Sequence, residues 1–274
     1  MIEQRDAVLR LLRDEDPATV ELVKDQFTRA GIGVLPDLRE LLASADRQAA
    51  RPIREVIAAI ERDSADELFG QMCERFAEGD LEEATWRLAS TFLPGENFQV
   101  QRDRLDEWAG EIKRRFHKAS SAVERVEMLV EYLGDEVRLH GNEEDYYNIN
   151  NSLLPEVIDS RLGMPITLSL VYIFVGHRCG LEFSGVGLPG HFLIRHREHF
   201  FDPFHGGRRI GLAECRALVE QQSLELTASH LEATTERQML IRTLTNIHAL
   251  AAERDPELGS KVRMWAGILH AHGR

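Results

Sequence analysis

The chain has 274 residues, of which 43% are hydrophobic and 29% charged, with a formal net charge of −13. That length suits one large unit or two to three smaller ones with a core that needs no staples, and the acidic balance speaks against nucleic acid as the main partner, because phosphate neutralisation needs a basic face. The three cysteines, Cys73, Cys179 and Cys215, are too few and too far apart for a disulfide framework or a zinc set. The N-terminal stretch MIEQRDAVLRLLRDED is charged throughout and lacks the apolar core of a signal peptide. The longest apolar run, ITLSLVYIFVG, falls short of the ~20 residues of a membrane span. A reducing cytoplasm and no membrane partner are expected.

Residues 1–63 read as short amphipathic helices. Asp16 and Pro17 supply an N-cap and a first-turn proline, and Gly31 and Gly33 stop the helix that follows. LPDLRELLAS, the turn SADRQ and RPIREVIAAIERD then suggest successive helical hairpins of HEAT type. Ser64 to Glu67 and Ser121 to Glu124 both have capping-box spacing, so helices are expected over about 65–78, 80–91, 99–117 and 121–139. The basic KRRFHK at 113–118 ends the third of these, where cations complement the helix dipole. A polar, aromatic loop, GNEEDYYNINNS, spans 141–152, and a short helix follows over 153–161.

The run from 165 to 179 is apolar nearly all round and predicts a central helix buried on several sides. After Gly180 the period turns strand-like through EFSGVGL, HFLIRH and HFFDPF. Helices resume at 212–222 and at 231–271, the latter a hairpin of possible tetratricopeptide type. The fold class is α+β, mainly helical with one small antiparallel sheet, divided into 1–63, 64–228 and 229–274. GVGLPG at 185–190 matches G-x-G-x-x-G formally, but a strand follows it where a dinucleotide site needs a helix.

His191 and Asp202 are the chemical pair of interest. If the strands join through a tight turn at Arg197 and Glu198, paired residues sum to 395, and His191 and Asp202 become diagonal neighbours on one face. A carboxylate within reach of an imidazole fixes its tautomer and raises its basicity. A turn one residue longer would flip the parity and separate them. The same register places His196 opposite His199 on the other face and His205 just beyond the sheet. No metal site is expected, because a three-ligand zinc site would need a different register.

The segments NEEDYYNINNSLLPEVIDSRLGMPITLSLVYIFVGHRCGL, GVGLPGHFLIRH and FFDPFHGGRRI together resemble the SirB-type transglutaminase-like family. That family shares the core of transglutaminases and papain-like cysteine proteases. The resemblance covers roughly residues 65–225 and is most specific in GMPITLS, PGHF and DPF. It implies a cleft in which a Cys opens the buried helix, a His opens a later strand and an Asp lies on the next. His191 and Asp202 match the last two positions. Counted from either glycine anchor, Gly163 or Gly180, the nucleophile's position falls on Pro165. Proline is comfortable in the first helical turn but carries no nucleophile and removes an N–H that an oxyanion could use. Cys179 lies at the far end of the same helix, about 21 Å away at 1.5 Å per residue. Thr167 is the nearest hydroxyl and a weak alternative nucleophile.

The resemblance further implies that Asn142, Asp145, Tyr146, Tyr147, Asn151 and Ser152, with Pro165, line that cleft. Ordinary loop chemistry is the competing reading for them. The expectation is therefore a transglutaminase-like pseudoenzyme that binds a peptide or protein partner and needs no cofactor. The alternative is a hydrolase or acyl transferase acting on amide or ester bonds through His191, Asp202 and either water or Thr167.

Overall fold

The structure is a computed structural model and describes residues 2–14 and 16–272. The chain divides into two compact units. The first comprises residues 1–71 and 90–96, and the second residues 72–89 and 97–274.

The first unit is helical: α1 (Ile2–Leu11), α2 (Pro17–Ala30), α3 (Leu35–Ser44) and most of α4 (Arg47–Arg75). Asp16 caps α2 by accepting from the Ala18 N–H at 3.1 Å, with Pro17 in the first turn. Asp46, in the turn between α3 and α4, accepts from the Ala49 N–H at 3.0 Å. Leu9, Leu12, Leu38, Leu41, Ile53 and Ile60 form the core. The helix break expected at Ser64 is absent, and α4 runs through it to Arg75. Buried positions continue across the residue, from Ile57 and Ile60 to Phe69 and Cys73. Tertiary burial on that spacing outweighs the modest preference of one serine for a cap.

The second unit adds most of α5 (Leu81–Phe92), with α6 (Gln99–Arg115) and α7 (Ala122–Glu131). As expected, the cations Lys113, Arg114 and Arg115 close α6. Ser121 caps α7 by accepting from the Glu124 N–H at 3.1 Å. The Glu124 carboxylate does not complete a box with Ser121; it takes the N–H and hydroxyl of Ser120. The helix expected to 139 instead widens at Tyr132–Glu136, where the Val137 N–H reaches the Tyr132 carbonyl at 3.0 Å, a π-type turn.

Two short strands follow, β1 (His140–Gly141) and β2 (Leu162–Gly163), paired in parallel on either side of α8 (Leu154–Ser160). Then come α9 (Pro165–Arg178) and the strands β3 (Ser184–Val186), β4 (Leu193–His196), β5 (His199–Asp202) and β6 (Arg208–Ile210). The chain ends in α10 (Leu212–Glu220), β7 (Ala233–Thr234), α11 (Glu236–Ala251) and α12 (Pro256–Ala271). Strands β6, β5, β4, β3 and β7 form, in that order, one antiparallel sheet. The fold is thus α+β and mainly helical, around a small antiparallel sheet.

All residues of α9 from Pro165 to Gly176 are buried, so the helix is the spine of this unit. Side chains such as Leu168, Val171 and Phe174 each contribute roughly 1.5–3 kcal/mol by leaving water. One sheet face carries Val186, Leu193, Phe200 and Ile210 against Cys215 and Val219 of α10. The C-terminal hairpin closes tightly at Gly259, where a Cβ would meet the Ala252 backbone at 3.0 Å. Among the described residues, no helix is long and apolar enough to cross a membrane.

Candidate active site: a buried carboxylate between two imidazoles

Strands β4 and β5 pair Ile194 with Phe201, Arg195 with Phe200 and His196 with His199, each pair summing to 395. The tight turn between them holds Arg197 at φ +53°. This register brings the His191 ring to Asp202, with Nε2 2.9 Å from Oδ1. Asp202 is fully buried and His191 is 8% exposed. Its carboxylate also accepts the Phe204 N–H at Oδ1, at 3.1 Å, and His205 Nδ1 at Oδ2, at 2.7 Å.

Burial on its own would raise the Asp202 pKa. The hydrogen bonds and charge of His191, then those of His205, outweigh it and hold the carboxyl below the usual carboxylate range. An ionised carboxylate accepts only, so the His191 nitrogen that faces it, Nε2, carries a proton. Among the described residues Nδ1 has no hydrogen-bond partner. The carboxylate thus fixes the orientation of the ring and leaves Nδ1 as the nitrogen turned away from it.

His205 lies beyond the sheet, in the turn Pro203–His205 that Asp202 caps. The sequence places it just beyond the sheet but does not by itself assign it to the carboxylate. The available signal was local, a D-P-F-H string in which an aspartate caps a proline-led turn and meets its own i+3 side chain. His191, Asp202 and His205 offer ligand atoms within 4.8 Å of one another, the only such group among the described residues. At 2.9 and 2.7 Å, however, the donor atoms sit at hydrogen-bond separation. A tetrahedral ion with ~2.1 Å bonds holds its ligands about 3.4 Å apart, so in the structure as it stands the three groups are hydrogen-bonded to one another.

The loop over 142–152 is tied beside the start of α9. The Asn142 N–H reaches the Gly163 carbonyl at 3.3 Å, and the Met164 N–H reaches the Asn151 carbonyl at 2.9 Å. Asn142 donates to Asn151 at 3.0 Å, and Asn151 donates to the carbonyls of Asp145 and Tyr146 at 2.7 and 3.2 Å. The Asp145 carboxylate accepts from Asn148 at 2.8 Å. These side chains build the loop. Tyr146 reaches toward the imidazole through a relay of rings, 6.0 Å edge-on to Phe204, which is 5.8 Å edge-on to His191. Tyr147 is 68% exposed. Asn142, Phe204 and His205 line a cleft of about 700 Å³ with Arg138, His140 and Arg161.

Pro165 opens α9, with Met164 as its N-cap. The Thr167 hydroxyl is 1% exposed, and among the described residues neither it nor the Ser152 hydroxyl has a hydrogen-bond partner. Thr167 is therefore not hydrogen-bonded to His191. Cys73 and Cys215 are buried, and Cys179 caps the far end of α9, its thiol 3.7 Å from the Ala109 carbonyl. Burial pushes the Cys73 and Cys179 thiols up, to about 12 and about 11. His196 bonds the Glu182 carbonyl at 2.7 Å, and His199 accepts from Arg209 at 2.6 Å.

A buried helix facing an antiparallel sheet, with a His two residues ahead of one strand joined to an Asp at the end of the next, fits a transglutaminase-like core. The transglutaminase-like superfamily profile matches residues 99–245, and the chain belongs to that superfamily. The match starts later than the resemblance read from the sequence and extends into α11. A UPF0162 protein of Xylella fastidiosa is 35% identical over 134 residues, 45% of this chain and 48% of the relative. A UPF0162 protein of Pseudomonas aeruginosa is 30% identical over 183 residues, 63% of this chain and 66% of the relative. Human F-box only protein 21 is 28% identical over 130 residues, covering 20% of its own length. The chain thus spans about half the length of the Xylella relative. No solved structure matches it.

Proposed function

We propose that this chain is a SirB-type transglutaminase-like protein that has lost its cysteine nucleophile and uses the retained cleft to bind a peptide or protein. The observation that carries the reading is Pro165 at the mouth of α9, with all three thiols accounted for elsewhere. Proline keeps the helix start and removes both the nucleophile and one N–H donor. His191 then serves as a hydrogen-bonding group fixed by Asp202. In this reading the helical flanks, 1–63 as HEAT-like repeats and 229–274 as a tetratricopeptide-like hairpin, frame the middle segment 64–228 and meet a protein partner. The setting is the cytoplasm, and the domain is a pseudoenzyme.

The alternative is hydrolysis or acyl transfer at amide or ester bonds. The ring orientation fixed by Asp202 favours it, because it leaves Nδ1 to activate a water. Thr167 is the less favoured nucleophile, since its hydroxyl is not hydrogen-bonded to the imidazole.

Turnover of p-nitrophenyl acetate and hydroxylamine incorporation into a glutamine dipeptide distinguish the two, with intact mass read during the reaction. The binding reading expects rates equal in wild type and His191→Ala, and no adduct. A rate that falls tenfold or more in His191→Ala, or a covalent acyl mass, overturns it.

A further inference from the structure

In a chain with 46 acidic residues, most hydrogen-bonded arginine side chains described in the second unit meet a carboxylate, as Arg178 does with Glu82 and Asp106. Two arginines of α11 do not. Arg242 is partly buried and donates from one nitrogen to the carbonyls of Leu188 and His191 at 2.7 and 2.9 Å, while its guanidinium lies 5.6 Å over the Phe192 ring. Arg237 donates to the carbonyls of Leu269 and Phe76 at 3.3 and 2.5 Å and lies 5.3 Å over the Phe76 ring. Among the described residues neither forms an ion pair. Carbonyls satisfy part of each five-donor fork but leave the charge uncompensated. Burial accordingly draws the Arg242 pKa down.

Both side chains line one cavity of about 680 Å³ between α11, the end of α12 and Gly190. Its other walls include Gln238, Thr245 and Asn246, which are polar and neutral, and no carboxylate is among its lining residues. Two unpaired cations, neutral hydrogen-bonding groups and a void of ligand size form the donor set of an oxyanion site.

We propose that this cavity binds the oxyanion of a ligand, a carboxylate or phosphate group, through Arg242 and Arg237. The site lies behind the backbone of His191, because Arg242 holds that residue's carbonyl. Occupancy is therefore positioned to stiffen the segment that carries the imidazole. The inference does not depend on whether His191 performs chemistry.

The test is thermal unfolding of the full chain against inorganic phosphate and against acetate, with sodium chloride as the ionic-strength control. The expected result is a rise in Tm of roughly 3 °C at about ten times the apparent Kd for at least one probe, and none for chloride. Which probe acts distinguishes phosphate from carboxylate. Thr245→Glu places a tethered carboxylate on the cavity wall one turn from Arg242 without disturbing either arginine's carbonyl bonds. It should fold with an unchanged or higher basal Tm and lose the probe response. Equal responses to chloride and both probes overturn the proposal. A probe response that survives in Thr245→Glu places the anion elsewhere and also overturns it.

Discussion

Replacing Asp202 with asparagine keeps the volume of the buried side chain and removes its charge. The carboxylate accepts from His191, His205 and the Phe204 N–H at once. An amide oxygen can retain the Phe204 bond and one imidazole, and the amide NH2 can donate to the second once His205 takes its other tautomer. Both imidazole bonds then lose their charge assistance, about 1–1.5 kcal/mol each, so about 3 kcal/mol in total is expected. For a cooperative unit of this size that corresponds to a Tm fall of roughly 6–12 °C. The effect has a pH signature. The folded Asp202 pKa lies below its ordinary value, so its stabilisation is complete above the ordinary carboxylate range and is lost as pH falls through the folded value. Urea unfolding of wild type and Asp202→Asn should give a gap that narrows below about pH 4. A gap under 1 kcal/mol at pH 7, or one that does not narrow below about pH 4, refutes the reasoning.

Further expectations rest on other contacts. The thiols of Cys73 and Cys179 should react with Ellman's reagent at pH 8 at least ~100-fold more slowly in the folded protein than in urea, because burial suppresses the thiolate; fast labelling of either would contradict its placement. Gly134→Ala would put a Cβ 1.9 Å from the Gly206 carbonyl oxygen, a backbone clash beside the His205 turn. A loss above about 3 kcal/mol in chemical denaturation is expected, and a neutral result would mean that the two segments do not pack as described. Arg178→Gln removes contacts of 2.7 and 2.8 Å to Glu82 and 2.6 Å to Asp106. These carboxylates are partly exposed, so about 1–2 kcal/mol is expected, shrinking in high salt; a salt-independent loss would point to packing instead.

The buried helix α9 was legible because twelve successive buried positions leave no polar face, a pattern no exposed segment carries. The joining of His191 to Asp202 was legible too, since a two-residue turn and a side-chain period of two leave one parity. Local sequence could not decide features that exist only through distant partners. Strand β7 forms because Ala233 and Thr234 lie beside Val186 and Gly185, and β1 forms because β2 lies next to it. Two-residue strands have no periodicity of their own. The run of α4 through Ser64 was decided by burial on both sides of it, against a local capping signal. His205 joined the carboxylate, and Arg242 came to stand unpaired behind His191, only when the turn and α11 were packed around them. Periodicity and turn length act within one segment and are written in it. Charge pairing and burial are settled between segments, after the chain has closed on itself.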